Sequence, residues 1–106
     1  MALHTVKLFA ATAESLEVPI KTNDDPTSDP PEFSLSASAA TPGTFHAGEW
    51  SGSFYDPDTR YATAVTPLIG AGQTLAIRSG DQLVVWARVT LDGEVAVWPV
   101  GQVLCP

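Results

Sequence analysis

The amino-acid sequence predicts an all-β fold, with one sandwich domain spanning residues 1–106. Three observations predict it. Nine prolines and eight glycines punctuate the chain. Short runs between them alternate apolar and polar residues, and an Asp-Gly pair separates two runs rich in β-branched residues. Turns at this spacing are typical of a sandwich of about eight short strands.

The first predicted strands are short and alternating. Residues 4–9 and residues 16–21 each place apolar side chains on one face. Because Pro19 cannot donate to a ladder, we expect the second of these strands at a sheet edge or a bulge. A polar, proline-rich loop follows over residues 22–31. Residues 33–37 then predict a half-buried strand with a solvated outer face.

The middle of the chain predicts a hairpin followed by one short strand. The hairpin begins at Trp50 and returns along residues 61–65. Its turn over residues 56–59 has Asp first and Pro second, which suits a type I turn. Residues 75–77 form the next predicted strand, and a Ser-Gly-Asp sequence ends it.

The strongest element is a hairpin made by residues 82–90 and 94–100 around Asp92 and Gly93. An Asp-Gly pair between two β-rich runs is typical of a two-residue hairpin turn. A last strand over residues 102–105 completes the chain. Together the elements predict an antiparallel β-sandwich that is Ig-like (immunoglobulin-like) in broad architecture.

Both faces of that final hairpin are substantially apolar. One face carries Leu83, Val85, Ala87, Val89, Ala96, Trp98 and Val100, and the other carries Val84, Trp86, Arg88, Thr90, Val95, Val97 and Pro99. The outer face of a sandwich sheet is normally polar, so something must cover the second face. Either a loop, the N-terminal segment or a bulge of the same chain accounts for it, or a partner protein does.

A partner would give this face a function as a protein interface. Trp86 with Arg88 would anchor the contact, because these residue types are enriched at interface hot spots. The acidic loop before the third strand would supply a second contact. The candidate interface residues are Trp86, Arg88, Val95 and Val97 on the hairpin, and Asp24, Asp25 and Asp29 in the loop.

The charge balance argues against some classes of partner. The net charge is −7, from twelve acidic and five basic residues, so tight nucleic-acid binding is not expected. No apolar run approaches the roughly 20 residues that span a bilayer, and no signal-peptide pattern begins the chain. Cys105 is the only cysteine, which excludes an internal disulfide and favours synthesis in a reducing compartment.

The sequence does not predict a metal site or an enzyme. The acidic loop could offer oxygen ligands to calcium, but it lacks the spacing of an EF-hand loop. His4, His46 and one cysteine do not make an ordinary zinc set. Serine, histidine and aspartate are present without a nucleophile elbow. We therefore expect no cofactor, and a hydrolase would instead require His46 beside a serine and a carboxylate.

Aromatic residues around the middle hairpin leave one alternative open. Trp50, Phe54, Tyr55 and Tyr61 lie close together in sequence. Such residues either build the core or form an exposed platform for sugars, and the core is favoured because aromatics supply much of the burial in a small domain. A carbohydrate-binding or host-surface adhesion module would require Trp50 or Tyr55 exposed in a shallow groove.

Several segments resemble small β-sandwich structural proteins of tailed phages that infect actinobacteria. The similar segments are residues 25–33, residues 48–52, residues 79–81 leading into residues 84–89, and the closing strand over residues 101–104. They cover most of the chain from residue 16 to residue 105. The chain departs from the pattern after the Trp-containing strand, where related sequences often carry a Pro-Glu-Pro-like stretch and this chain has Asp-Gly-Glu.

The resemblance implies a virion protein near the capsid or the head-to-tail junction. Such proteins are non-enzymatic, use no cofactor and bind other virion subunits in symmetric arrays. It therefore implies a structural protein that decorates or stabilises the capsid, or that connects head and tail, through protein–protein contacts. The Asp-Gly-Glu departure puts any contact shared at that loop in doubt.

Overall fold

The computed structural model describes residues 5–9, 11–38 and 40–106, together with all their side chains except those of residues 52–54. Within these residues the chain forms ten strands and no helix, which confirms the all-β prediction. The strands are β1 Thr5–Lys7, β2 Glu17–Lys21, β3 Glu32–Ser36, β4 His46–Ala47, β5 Glu49–Asp56, β6 Tyr61–Val65, β7 Ile69–Gly70, β8 Leu75–Ala76, β9 Gln82–Leu91 and β10 Glu94–Leu104.

The strands form two main sheets and one small one. The larger sheet has the order β1-β10-β9-β3-β4, the second has the order β2-β6-β5, and β7 pairs with β8. β2 lies at the edge of its sheet, as Pro19 predicts, because a residue without an N–H is tolerated where one side of the strand is unpaired. The two main sheets pack as a β-sandwich.

The core lies between the two main sheets. Phe33, Val85 and Val103 from the larger sheet pack in one cluster with Ile20 and Ala64 from the second sheet. None of these five is more than 2% exposed. Full burial of a large aliphatic or aromatic side chain contributes about 1.5–3 kcal/mol, so this cluster is the main source of stability.

The β9–β10 hairpin has the predicted register. Leu91 pairs with Glu94, and the turn residues Asp92 and Gly93 have φ values of 52° and 79°. Positive φ at both central residues defines a type I′ turn, whose twist matches that of the strands it joins. The same-face pairing of Val89 with Ala96 is confirmed as well.

Three features differ from the predictions. β1 pairs with β10 in parallel, so the larger sheet is mixed, not wholly antiparallel. The predicted last strand is a continuation of β10, which passes through a bulge between Pro99 and Gly101. Ten strands replace the predicted eight, partly because β4 and β7 have two residues each and carry no readable alternation. His4, predicted to begin the first strand, lies outside the described residues.

Candidate protein interface

The outer face of the β9–β10 hairpin divides into a covered part and an open part. The covered part agrees with the interpretation that the chain itself accounts for the apolar face, and the open part leaves apolar side chains exposed. The covered part contains Trp86 and Arg88, and the open part contains Val95 and Val97.

Trp86 is covered by the chain itself. Its side chain is 7% exposed, and its Nε1–H donates to the carbonyl oxygen of Ser38, 3.3 Å away, in the segment that joins β3 to β4. Gly43 in the same segment donates its N–H to Ser34 Oγ at 2.7 Å. The segment thus folds over this part of the sheet.

This cover corrects two predictions. Trp86 does not present its ring to solvent, so its position gives it a role in folding, not as the anchor of a partner contact. The outer face of β3 is not fully solvated, since Ser34 is 0% exposed and Glu32 and Ser36 beside it are half-buried. A serine suits this position because one hydrogen bond satisfies its small hydroxyl under the covering segment.

Arg88 is paired within the chain. Its Nε and Nη2 atoms donate to the two carboxylate oxygens of Glu32 at 3.1 Å and 2.6 Å, and its guanidinium lies 4.3 Å from the ring centroid of Phe45. The hydrogen bonds from Arg88 lower the pKa of Glu32 and raise the pKa of Arg88. Arg88 therefore ties the covering segment to the sheet, and its charge is already compensated.

Val95 and Val97 lie beyond this cover. They are 58% and 43% exposed, on the strand that returns from the type I′ turn. Their register partners across the hairpin, Thr90 and Arg88, are half-buried on the same face. Of the predicted hairpin contacts, these two valines are the ones whose side chains are open to a partner.

The acidic loop between β2 and β3 is held in place by the rest of the domain. Trp50 donates its Nε1–H to the carbonyl oxygen of Asp29 at 2.7 Å, and Tyr55 donates its hydroxyl to the carbonyl oxygen of Thr22 at 2.7 Å. Within the loop, the Asp25 carboxylate accepts the N–H and hydroxyl of Thr27, which lowers the pKa of Asp25. The loop therefore has a defined conformation on the surface of the domain.

The predicted loop contacts, Asp24, Asp25 and Asp29, are all exposed. The structure brings only one of them to the hairpin: Asp24 lines a groove together with Val95, whereas Asp25 and Asp29 are not part of that lining. A partner that covers the hairpin tip would therefore meet the beginning of the acidic loop.

The groove between the hairpin and the end of β2 has a volume of about 510 Å³. It is open on one side. Apolar residues on the inner face of the hairpin line it on one side: Val89, Leu91, Ala96 and Trp98. Polar residues at the end of β2 and directly after it line the other side: Lys21, Thr22, Asn23 and Asp24. Asp92, Glu94 and Val95, at and beside the hairpin turn, complete the lining. The sequence gives no signal for this groove, because alternation assigns Trp98 simply to the core face.

The residues weighed for other chemistry are placed as follows. Trp50 is half-buried and packs against the core, and Tyr55 is half-buried. His46 pairs with Phe33 in the sheet, and no hydrogen bond to a serine or carboxylate is found for it in the described part of the chain. Among residues 5–9, 11–38 and 40–106, no group of three or more His, Cys, Asp or Glu could hold a metal ion. Those residues also form no helix long and apolar enough to cross a membrane.

Comparison with family models, with curated proteins and with solved structures finds no match to this chain.

Proposed function

We propose that this chain is a non-enzymatic structural protein of a tailed-phage particle. It decorates or stabilises the capsid, or sits at the head-to-tail junction, through protein–protein contacts with other virion subunits. The contact surface is the open part of the β9–β10 hairpin, formed by Val95 and Val97, with the acidic loop beside it.

One observation carries this proposal. Two β-branched side chains on one strand, 58% and 43% exposed, stand on the outer face of a hairpin whose other apolar outer-face residues are buried or half-buried. Exposed apolar side chains scattered singly need no explanation, whereas adjacent ones on one strand favour a contact. Since Val84 and Trp86 are buried, at 5% and 7% exposed, the exposed apolar side chains of this face lie toward the hairpin tip.

Two further features support a place in a repeated assembly. The open surface is small, and multiple copies on a symmetric particle can be held by avidity even where each contact is weak. The net charge of −7 opposes binding to packaged nucleic acid. The resemblance to phage β-sandwich proteins over residues 16–105 is the reason for placing that assembly in a virion.

The proposal is tested on particles of the phage that encodes the chain, purified on a density gradient. Quantitative mass spectrometry is expected to find the chain in multiple copies per particle. Val97→Asp places a charge in the contact, so we expect its copy number to fall at least about tenfold, which corresponds to about 1.4 kcal/mol.

The matched control is Leu68→Asp. Leu68 is 46% exposed, close to the value for Val97, but directly precedes β7 and is not part of the hairpin. It is expected to leave the copy number unchanged, and circular dichroism should show both variants folded. Absence of the chain from the particles contradicts the virion role, and an equal loss for both variants contradicts the hairpin as the contact.

Trp50 and Tyr55, on which the sequence placed a carbohydrate site, are both half-buried, but the groove offers Trp98 instead and makes a carbohydrate-binding module a second candidate. Half-buried Trp98 lies there with Lys21, Asn23 and Asp24, and an aromatic ring beside polar groups is a common way to hold a sugar. Calorimetric titration with N-acetylglucosamine oligomers and cello-oligosaccharides tests it. Saturable heat that Trp98→Ala abolishes and Trp50→Phe retains would support this function, and no heat with the unmodified chain would contradict it.

A further inference from the structure

We propose that the outer edge of β10 pairs with the same edge of a second copy of this chain. The pairing is antiparallel and centred on Ala96, and it joins the two larger sheets into one continuous sheet across a two-fold axis. This inference rests on the proposed contact function of the hairpin and names its partner.

The first step is that the tip half of β10 has one paired side. β10 pairs with β9 from Glu94 to Leu104, but β1 pairs with β10 only from Gln102 to Leu104. No strand among the described residues pairs with the segment from Glu94 to Val97 on that second side. An unpaired edge offers a row of N–H and C=O groups to another strand.

The position of Pro99 shows which backbone groups face this edge. Proline has no N–H, and within a sheet it is tolerated where its nitrogen points away from the neighbouring strand. Pro99 is in register with Trp86 of β9, so its nitrogen faces the other side, toward the edge. Backbone direction alternates along a strand, and the register is regular from Glu94 to Pro99. Val97 and Val95 therefore direct their N–H and C=O groups to the same edge.

An extended strand is the only kind of occupant that satisfies such groups in series, and a second β10 does so completely. With Ala96 opposite Ala96 of the second copy, Val95 lies opposite Val97 of the second copy, and each pair exchanges both N–H···O=C bonds. At the ends of this register, Pro99 lies opposite Gly93 of the second copy. The missing donor of Pro99 then falls at a turn, where the ladder stops.

The side chains fit the same register. Residues directly opposite in an antiparallel pair point to the same face, so Val95 and Val97 of the two copies form one apolar cluster on the outer face. These are the two exposed large apolar residues of the hairpin. On the other face the methyl groups of Ala96 meet at the axis, and Trp98 lies opposite Glu94 of the second copy on either side of it.

Charge makes this pairing depend on salt. Each chain carries −7, and Asp92 and Glu94 lie on the approaching hairpins, so the two copies repel one another over distance. Because salt screens exposed charges, the association is expected to tighten about tenfold when ionic strength rises from about 0.05 M to about 0.5 M. A basic partner strand would show the opposite salt dependence.

The test is disulfide cross-linking of Ala96→Cys. Opposite Cβ atoms in a non-hydrogen-bonded antiparallel pair are about 4.5 Å apart, close to the separation in a disulfide. The native Cys105 is 1% exposed and contributes little background. After mild oxidation of the purified protein, we expect the cross-linked dimer fraction of Ala96→Cys to exceed that of the control Leu68→Cys at least about tenfold.

A second pair of variants tests the backbone contact without a disulfide. Val97→Pro removes an edge-facing N–H while leaving the ladder to β9 intact, and Val97→Thr keeps both the N–H and the β-branched shape. Sedimentation equilibrium is expected to show at least about tenfold weaker dimerisation for the proline variant, and near-native dimerisation for the threonine variant.

The outcomes separate this inference from the proposed function. A monomer at all concentrations and salt conditions, with cross-linking of Ala96→Cys no higher than that of Leu68→Cys, overturns the pairing. If Val97→Asp still lowers the copy number on particles in that case, the edge serves a different protein and the virion role stands. Dimerisation of a chain that is absent from the particles supports the pairing and contradicts the virion role.

Discussion

Truncation of Trp86 to alanine separates the folding role of the hairpin from its contact role. Trp86 lies at the centre of the covered part of the outer face, 7% exposed. Trp86→Ala removes the ring on which the segment between β3 and β4 packs. It also removes the donor to the carbonyl oxygen of Ser38. We expect the variant to lose stability whether or not any partner is present.

The size of the effect follows from burial. A buried Trp→Ala substitution costs about 3–5 kcal/mol, which includes the cavity it leaves. A domain of this size has a total stability of about 5–15 kcal/mol. Since 1 kcal/mol shifts the Tm by about 4–8 °C at this length, we expect the Tm to fall by about 15 °C or more.

The assay is urea denaturation followed by circular dichroism, with thermal unfolding beside it. Trp86→Phe keeps most of the apolar volume but loses the Nε1–H donor, so we expect it to cost about 1–2 kcal/mol. Val97→Ala alters a side chain that is 43% exposed, and we expect it to stay within about 0.5 kcal/mol of the unmodified chain.

A loss below about 1 kcal/mol for Trp86→Ala would refute this reasoning, because it would mean that the segment does not pack on the ring. If the loss of stability depended on protein concentration, Trp86 would instead belong to an interface, since the stability of an assembly depends on protomer concentration.

Three further predictions test the parts that position the hairpin. Hydrogen bonds from Arg88 lower the pKa of Glu32 from its usual 4.5, so the pair stabilises the fold above that pH and its contribution is lost as the pH falls through the lowered pKa. Glu32→Gln should therefore cost about 1 kcal/mol at neutral pH, and urea titrations at decreasing pH should show the difference vanish. Arg60 has a φ of 64°, so Arg60→Gly should raise stability by about 0.5 kcal/mol and Arg60→Val lower it by about 1 kcal/mol; a reversed order of Tm values would contradict the strain. A Cβ on Gly48 would clash with the backbone carbonyl oxygen of Val65 and lie 2.8 Å from Cε2 of the buried Phe33, so Gly48→Ala should cost about 2 kcal/mol in urea denaturation, and a neutral result would show that both the β6 backbone and the ring can move aside.

Short-range sequence signals predict much of the sandwich. Asp92 and Gly93 determine the type I′ turn, and a two-residue turn sets the pairing of every residue up to Pro99. The missing N–H of Pro19 places β2 at an edge. These predictions succeed because each depends on one or two residues and on strands adjacent in sequence.

Non-local packing is what the sequence could not predict. The segment between β3 and β4 reads as a loop of small residues, and nothing in its composition says that it folds onto Trp86. Parallel pairing of β1 with β10 joins residues 97 positions apart, such as Thr5 and Gln102. No turn signal acts over that distance.

The sequence could not predict the groove either, because the groove depends on the lengths of strands in different sheets. β9 and β10 have ten and eleven residues, whereas β2 and β6 have five each. At about 3.3 Å per residue, the hairpin strands are longer than these two strands and longer than β5, which has eight residues. Trp98 lies on the core face of the hairpin, half-buried, and lines the groove together with Lys21 and Thr22. Alternation gives the face of a residue but not the length of the sheet across from it.

The pairing of the first strand with the last one affects how the chain folds during its synthesis. A ribosome makes β1 long before it makes the residues of β10 that pair with it, so this strand has no place to add until synthesis has passed Leu104. Closing so long a loop costs entropy before the contacts between the two strands can stabilise it. Folds dominated by such pairings therefore form in milliseconds to seconds. β1 is therefore expected to stay unpaired until translation has passed Leu104. Chaperones would bind the exposed strand during that time.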